Sequence, residues 1–227
     1  MCPFPLVTNP KHILLQDDDE EEWNLKMDEY QIHRRTLAYY DKNSEEYYEE
    51  TIFNNVKEMY NIFTSYLPLP AKILDFGSGV GRDTKYFLDC GYNVDSVDGS
   101  RGLARIAKDK LGIDTLVSSF QTVDLPQQEY DGIWAMASLL HLPTDSLRQV
   151  VAKLYGALKP NGVLFCSFKE GEGSFVDERG RYYRLMNENE LLSLAENNRL
   201  QCISCSKFTF RDQRWIKYLG RRLSSKI

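Results

Sequence analysis

Ile73-Leu74-Asp75-Phe76-Gly77-Ser78-Gly79-Val80-Gly81-Arg82 runs from a short apolar stretch straight into three glycines at alternate positions. An apolar run of this length bounded by glycine reads as a buried strand. Glycines at its end let the backbone approach a ligand closely, and a helix opening at Arg82 offers unpaired N–H groups to a negative group. The next apolar run, 92–97, leads into Asp98, 23 residues after Asp75. An acidic side chain there can accept hydrogen bonds from both hydroxyls of a ribose. A dinucleotide fingerprint, G-x-G-x-x-G, needs a third glycine at position 82, where Arg82 stands; the third glycine comes one residue earlier. The spacing is D-x-G-x-G-x-G, which speaks against a nicotinamide dinucleotide and keeps a nucleoside.

Outward from this motif, β-like runs at 71–76, 92–97, 115–120, 130–137, 162–168, 200–210 and 214–220 alternate with helical windows opening near Arg82, Arg101, Thr144 and Asn187. Asn187 with Glu190 forms a capping box. Such alternation predicts an α/β fold, a three-layer sheet of seven strands, mostly parallel. Only Arg211-Asp212-Gln213 separates the last two runs, too short for a helical crossover, so they form an antiparallel C-terminal hairpin. Upstream, 27–40 reads as a helix stopped at Asp41-Lys42-Asn43. The single apolar stripe of Ile52, Val56, Met59 or Tyr60, Phe63 and Leu67 predicts one further helix, capped by Ser44 and ended by Pro68. The expected organisation is a flexible acidic arm (1–27) and one domain (28–227). That domain divides into a helical cap (28–67), a ligand-binding core (71–168), a lid (169–186) and a closing helix with hairpin (187–227).

Composition sets the class. At 227 residues with 42% hydrophobic and 27% charged side chains, the chain suits one water-soluble core. No run approaches the roughly 18 apolar residues of a membrane span, and the N-terminus lacks a basic stretch followed by an apolar one. A cytoplasmic location is expected, with no membrane partner. Five cysteines, an odd number, argue against a disulfide framework. Cys202 and Cys205, three apart in a strand, should point to opposite faces and serve as buried structural thiols, so no metal site is expected. The net charge of −5 divides into −8 over residues 1–66 and +3 over the rest. From Arg199 onward there are eight basic residues and one acid, either an anion-facing surface or a solvated hairpin face.

Taken together, ILDFGSGVGRD, VDSVDGS, SSF, YDGIWAMASLLHL, LKPNGVLFCSF and the terminal hairpin resemble the class I S-adenosylmethionine-dependent methyltransferases, over roughly residues 36–222. Within that family the chain is similar to bacterial small-molecule types, including the tellurite-resistance and quinol-methylating branches. Its RGRYY, NENEL and RW segments show a looser similarity to wobble-uridine tRNA methyltransferases. The resemblance implies a Rossmann-like fold with S-adenosylmethionine as cofactor. It implies that Asp75 and the backbone of Gly77, Ser78 and Gly79 hold the methionine moiety, with Gly81 packed close beneath and Arg82 on the carboxylate. Asp98, with Gly99 beside it, takes the ribose. The adenine lies near Ser119 and Phe120, where many members carry an Asp at position 119; backbone or Gln121 then substitutes. Ala135 and Met136 line the floor under the methyl group, and Tyr40 and Tyr47 close over the cofactor, with core packing as their competing role.

Methyl transfer from a sulfonium needs alignment rather than a protein nucleophile. A hydroxyl or amine acceptor would profit from a base. His141, just past the fourth strand, is the candidate for that catalytic role, against a structural one. His12 and His33 are assigned none. Arg181, Tyr182 and Tyr183 of the glycine-rich 169–186 segment, with Arg214 from the hairpin, are the candidate substrate-binding residues. The expected acceptor is a small polar or anionic metabolite. The alternatives are an RNA met by the basic C-terminal region, and a non-catalytic scaffold that only binds the cofactor. Sequence alone assigns no oligomeric state.

Overall fold

The computed structural model describes residues 29–224; the arm expected at 1–27 lies outside the described residues. Three helices come first, α1 (Glu29–Lys42), α2 (Ser44–Thr51) and α3 (Lys57–Thr64). They are followed by β1 (Lys72–Phe76), α4 (Arg82–Asp89), β2 (Asn93–Asp98), α5 (Arg101–Leu111), β3 (Leu116–Val117) and β4 (Tyr130–Ala135). Then come α6 (Thr144–Ala157), β5 (Leu158–Lys169), a small hairpin of β6 (Ser174–Val176) and β7 (Tyr182–Arg184), α7 (Glu188–Asn197), β8 (Leu200–Phe210) and β9 (Gln213–Arg222). Seven strands form one sheet in the order β3-β2-β1-β4-β5-β9-β8, parallel from β3 to β5, with β9 antiparallel to both β5 and β8.

Alternate residues along the strands divide the core into two layers. Ile73, Trp134, Val163 and Phe165 face Phe87 of α4 and Met59 and Phe63 of α3. Leu74, Phe76, Ile133, Leu164 and Phe168 face Leu147, Val150 and Leu154 of α6 and Leu191 of α7. Burial on both faces is why these strands read as nearly continuous apolar runs. Strand order reverses between β1 and β4, which opens a crevice at their C-terminal ends, the usual ligand site of an open α/β sheet.

Three local expectations are corrected. The single helix from Ser44 to Leu67 is two helices, broken at Ile52–Val56, where Phe53 is 88% exposed. Asn54 and Asn55 explain the break, because their side chains compete with the helix for backbone partners. Asn55 Oδ1 accepts from Lys57 N, and Arg211 Nη2 donates to both Glu50 O (2.7 Å) and Asn54 Oδ1 (2.9 Å), closing the end of α2. Ser44 is not the cap; it is buried within the first turn of α2. Secondly, 169–186 is no glycine loop but carries the β6–β7 hairpin, in which Phe175, Tyr182 and Tyr183 are buried. Thirdly, Cys202 and Cys205 do not point to opposite faces. A bulge between Cys202 and Ser204 pairs Cys202 with Gly220 and Cys205 with Tyr218, two residues apart and so on one face, and leaves Cys202 exposed. Asn187 does cap α7, with the reciprocal Glu190 bond. Among the described residues no helix is long and apolar enough to cross a membrane.

The helical cap is docked through a backbone-close contact. Asp41 Oδ1 accepts from Ser100 Oγ (2.6 Å) and Gly102 N (2.9 Å), and a Cβ at Gly102 would stand 2.6 Å from the Asp41 carbonyl oxygen. Gly102→Ala should therefore push α5 off the α1–α2 junction and cost about 1–3 kcal/mol, read as a lower urea midpoint; an unchanged midpoint would mean the cap docks elsewhere.

Candidate active site

Directly after β1 the chain turns back under β2, with Gly77 N donating to Val97 O at 2.8 Å. Gly77 has φ +86°, and a Cβ there would lie 2.3 Å from Ser138 Cβ, so no other residue fits between the turn and the loop after β4. At the end of β2 Asp98 joins two turns. Its Oδ2 accepts from Gly79 N and its Oδ1 from Ser100 N, both at 2.8 Å. Burial raises its carboxyl, opposed by these N–H donors. Each oxygen keeps a lone pair for a further donor.

Two chambers meet at this edge. The inner one is lined by Asp98, Gly99, Leu103, Phe120, Ser138 and His141, and by one face of α1: His33, Thr36, Leu37 and Tyr40. The outer one, about 300 Å³, is lined by Ser78, Arg82, Met136 and Lys169, by Thr51 and Asn54 of the cap, and by Phe208, Arg211 and Trp215 of the hairpin. Tyr47, Gly77, Gly79 and Ala137 line both and form the throat. The nucleoside and amino acid ends of S-adenosylmethionine suit this layout. His33 Nε2, on the inner wall, and Gln121 Oε1 beside Phe120 are buried without a partner among the described residues. His33 Nε2 thus keeps hydrogen-bonding capacity on the inner wall for a further partner.

The expected site residues separate into groups. Gly77, Ser78, Gly79, Arg82, Asp98, Gly99, Phe120, Met136, Tyr40, Tyr47 and His141 all line one chamber or the other. Asp75 does not: it is 1% exposed beneath the turn, accepting from Thr84 Oγ1 at 2.6 Å, and burial beside Asp83 pushes its carboxyl up to about 8. Ala135 belongs to the core under the sheet, because strand alternation sends it inward and leaves Met136 and Ala137 at the mouth. Ser119 bonds Thr122 instead of lining the cavity, and Gly81 packs under the turn, where an added Cβ would lie 3.1 Å from Ala107 Cβ. Arg181, Tyr182, Tyr183 and Arg214 line neither chamber. Arg181 is clamped to Asp177 (2.7 Å), Tyr182 and Tyr183 are buried in the hairpin, and Arg214 reaches out to Glu170 (3.1 Å).

Arg82 faces the outer chamber already tethered. Its Nε donates to Asp83 Oδ1 (2.6 Å) and its Nη1 to Thr51 O (3.2 Å). Burial alone would raise the Asp83 carboxyl, but Arg82, Tyr60 and Trp134 Nε1 (2.8 Å) hold it below its ordinary value. Arg211, which the sequence offered with Arg181, Arg184 and Arg214 as a grip for an anion, does line the outer chamber, whereas His33, Thr36, Lys169 and Trp215's place in the chamber were missed. For His33 and Thr36 a signal existed: 33, 36, 37 and 40 recur at helical spacing and form one face of α1.

His141 has both ring nitrogens engaged. Nδ1 lies 2.6 Å from the Tyr182 carbonyl oxygen, which can only accept, so Nδ1 carries the proton and Nε2 accepts from Tyr40 OH at 2.9 Å. Burial pushes its imidazole down to about 4, against the pull of the Tyr182 carbonyl. An unfolded chain carries an ordinary imidazole near 6.5, so between about 6.5 and 4 the unfolded state binds a proton that the folded state refuses. Stability should be full above that window and fall as pH drops through it, with His33, also lowered by burial, acting in the same sense. His141→Gln should flatten the dependence of the urea midpoint between pH 6.5 and 4.5; parallel profiles for variant and wild type would place the imidazole in solvent.

Comparison with known proteins agrees with this geometry. Residues 73–162 match the family described as methyltransferase domain. An uncharacterized methyltransferase of Geobacillus sp. is 30% identical over 124 residues, 53% of this chain and 57% of that protein. The malonyl-[acyl-carrier protein] O-methyltransferase of Enterobacter lignolyticus is 30% identical over 95 residues, 41% of this chain and 37% of that protein. These matches span about half the length of the curated relatives. Among solved structures, the 1,6-didemethyltoxoflavin-N1-methyltransferase of Burkholderia thailandensis, with bound 1,6-didemethyltoxoflavin and S-adenosylhomocysteine, shares the fold at a TM-score of 0.70. It is 20% identical, covering 98% of this chain and 94% of that one. By its glycine turn, its acid at the end of β2 and its sheet order, the chain has the Rossmann-like fold of the class I S-adenosylmethionine-dependent methyltransferases, and its residues 73–162 are similar to the methyltransferase domain family.

Proposed function

We propose that this chain transfers the methyl group of S-adenosylmethionine to a small polar or anionic metabolite. The observation that carries this is the pair of chambers joined at Gly77, Gly79, Tyr47 and Ala137, one built around Asp98 and the other open to a second molecule. When bound, the cofactor supplies an electrophilic methyl on a sulfonium. Asp98 grips the ribose, and Tyr40 and Tyr47, ring centroids 5.1 Å apart, close the inner chamber over it. Phe120, stacked on Phe76 at 4.4 Å, offers its ring to the adenine. Ser78 and Gly79 present backbone to the amino acid end, near the tethered Arg82. His141 holds Tyr40 in place, which gives it a positioning role and leaves the acceptor's proton to other groups. Alignment of the acceptor with the methyl group supplies the acceleration.

The acceptor class rests on this chain's own residues, since the relatives' names span a carrier-protein-bound malonyl group and a toxoflavin precursor. The basic stretch that suggested RNA is largely taken up within the chain. Lys207 and Arg214 meet Glu170, Lys217 meets Glu58, and Arg222 Nη1 donates to the Tyr155, Gly156 and Leu158 carbonyls. Among the described residues Cys90, Cys166, Cys202 and Cys205 are free, which suits a reducing, cytoplasmic setting.

Incubation of the purified protein with methyl-labelled S-adenosylmethionine and fractionated cell extract should move label into the small-molecule fraction. Label in RNA would favour the alternative acceptor, and no transfer to any fraction would favour a scaffold. Asp98→Ala should weaken S-adenosylhomocysteine binding at least about tenfold by calorimetry, as expected for a charged hydrogen-bond acceptor worth roughly 1.5–3 kcal/mol; unchanged affinity would remove Asp98 from the site.

A further inference from the structure

Three strands present one row of side chains to the outer chamber. Lys169 at the end of β5 is the register partner of Trp215 in β9, which is in turn the partner of Phe208 in β8. Directly opposed residues share a sheet face, and all three line the chamber. The Phe208 and Trp215 rings run nearly parallel, 22° apart at a centroid distance of 6.2 Å, making an aromatic wall in the same row as Lys169.

That ammonium is unusual among the chamber's cations. Arg82 is held by Asp83 and the Thr51 carbonyl, and Arg211 by the Glu50 carbonyl and Asn54. Lys169 Nζ instead stands 3.7 Å over the Tyr183 ring and 5.2 Å from that of Phe175, with no hydrogen-bond acceptor or carboxylate in contact among the described residues. A ring face stabilises a cation only in part, and a half-desolvated ammonium favours an anion that comes with a ligand. Burial, with Arg181 nearby, pushes it down to about 8, against the opposing pull of Asp177. A second group lacks its partner in the same row, since Trp215 Nε1 is buried with no acceptor among the described residues.

We propose that the methyl acceptor is a flat ring-based anion, an aromatic or heteroaromatic ring bearing a carboxylate or an ionised ring oxygen, laid against Trp215 and Phe208 with its negative atom on Lys169. This rests on the methyltransferase reading and names the acceptor class for the same site. The wall supplies area to a planar ring at low entropic cost, and the ammonium fixes which edge of the ring approaches the throat. Lys169 is thus a specificity-determining residue, placed one strand from Met136 and Ala137 at the methyl end of the chamber.

The test measures binding to protein saturated with S-adenosylhomocysteine, by calorimetry and quenching of tryptophan fluorescence. The probes are 4-hydroxybenzoate and orotate as flat anions, 4-hydroxybenzamide as a neutral match, cyclohexanecarboxylate as a puckered anion and phosphoethanolamine as a flexible one. At least one flat anion should bind about tenfold or more tightly than each of the other three. Lys169→Met should remove that preference, Lys169→Arg should restore part of it, and Trp215→Leu should bring the flat and puckered anions level. All three variants should keep wild-type affinity for S-adenosylhomocysteine, which shows that they are folded. Binding of neither flat anion to the loaded wild type, equal binding of the neutral amide, or an unaltered preference in Lys169→Met overturns the proposal. Failure of the wild type to bind S-adenosylhomocysteine at all is a separate result, and it overturns the methyltransferase reading itself.

Discussion

One buried carboxylate ties the functional edge together. Asp98 accepts from the turn after β1 through Gly79 N and from the turn after β2 through Ser100 N, so the two loops that bound the inner chamber share a single anchor. Burying that charge is costly unless donors surround it, and here the donors are main-chain groups whose positions are fixed by strand pairing. The network continues outward. Ser100 Oγ donates to Asp41 Oδ1, which also takes Gly102 N, so the helical cap is hung from the residue next to the anchor. Geometry set at the sheet edge is passed to the helices that cover it.

From the cap the same logic reaches the β6–β7 hairpin. Tyr40 OH meets His141, whose other nitrogen meets the Tyr182 carbonyl, while Tyr182 N donates to Thr36 Oγ1 on α1. Arg179 donates to Tyr39 OH, and the Arg181 guanidinium lies 4.6 Å from the Tyr39 ring centroid. Helix α1 is therefore held on one side by α5 and on the other by the hairpin, through these polar and cation–π contacts together with the packing of Ile32, Leu37 and Tyr40.

How much could be read beforehand follows from the range of the interactions involved. The glycine turn and Asp98 were legible because each is a local demand: a left-handed backbone, a close approach, an acid at a strand end. The mostly parallel sheet and the terminal hairpin were legible because connection lengths allow few alternatives. The break at Ile52–Val56 had a local signal in Asn54 and Asn55 that the apolar stripe outweighed, while the contact that closes the end of α2 comes from Arg211, some 160 residues away. The β6–β7 hairpin was hidden behind glycines that suggest a loop, although its tyrosines are buried against His141 and α1. Ala135 and Met136 could be placed at the strand end, but which of the two faces the ligand depends on where the strand stops alternating. The bulge at Cys202 and Ser204 likewise inverts a face assignment that strict alternation would give.

The two chambers differ in the kind of residue that builds them, and this bears on what each can recognise. The inner chamber is made by main chain, glycine and one carboxylate within residues 77–99, with aromatic rings from the cap laid over it. Such a site recognises a ligand common to many proteins, and its sequence signature is short. The outer chamber is made by side chains from the cap, the end of β5 and the hairpin strands β8 and β9, which lie far apart in sequence and meet only when the antiparallel pair closes on β5. Replacing Lys169, Trp215 or Phe208 changes that wall without touching Asp98 or the glycine turn. On the proposed reading, acceptor choice would rest on the part of the fold that follows the first four strands, and the two chambers share the lining residues Gly77, Gly79, Tyr47 and Ala137.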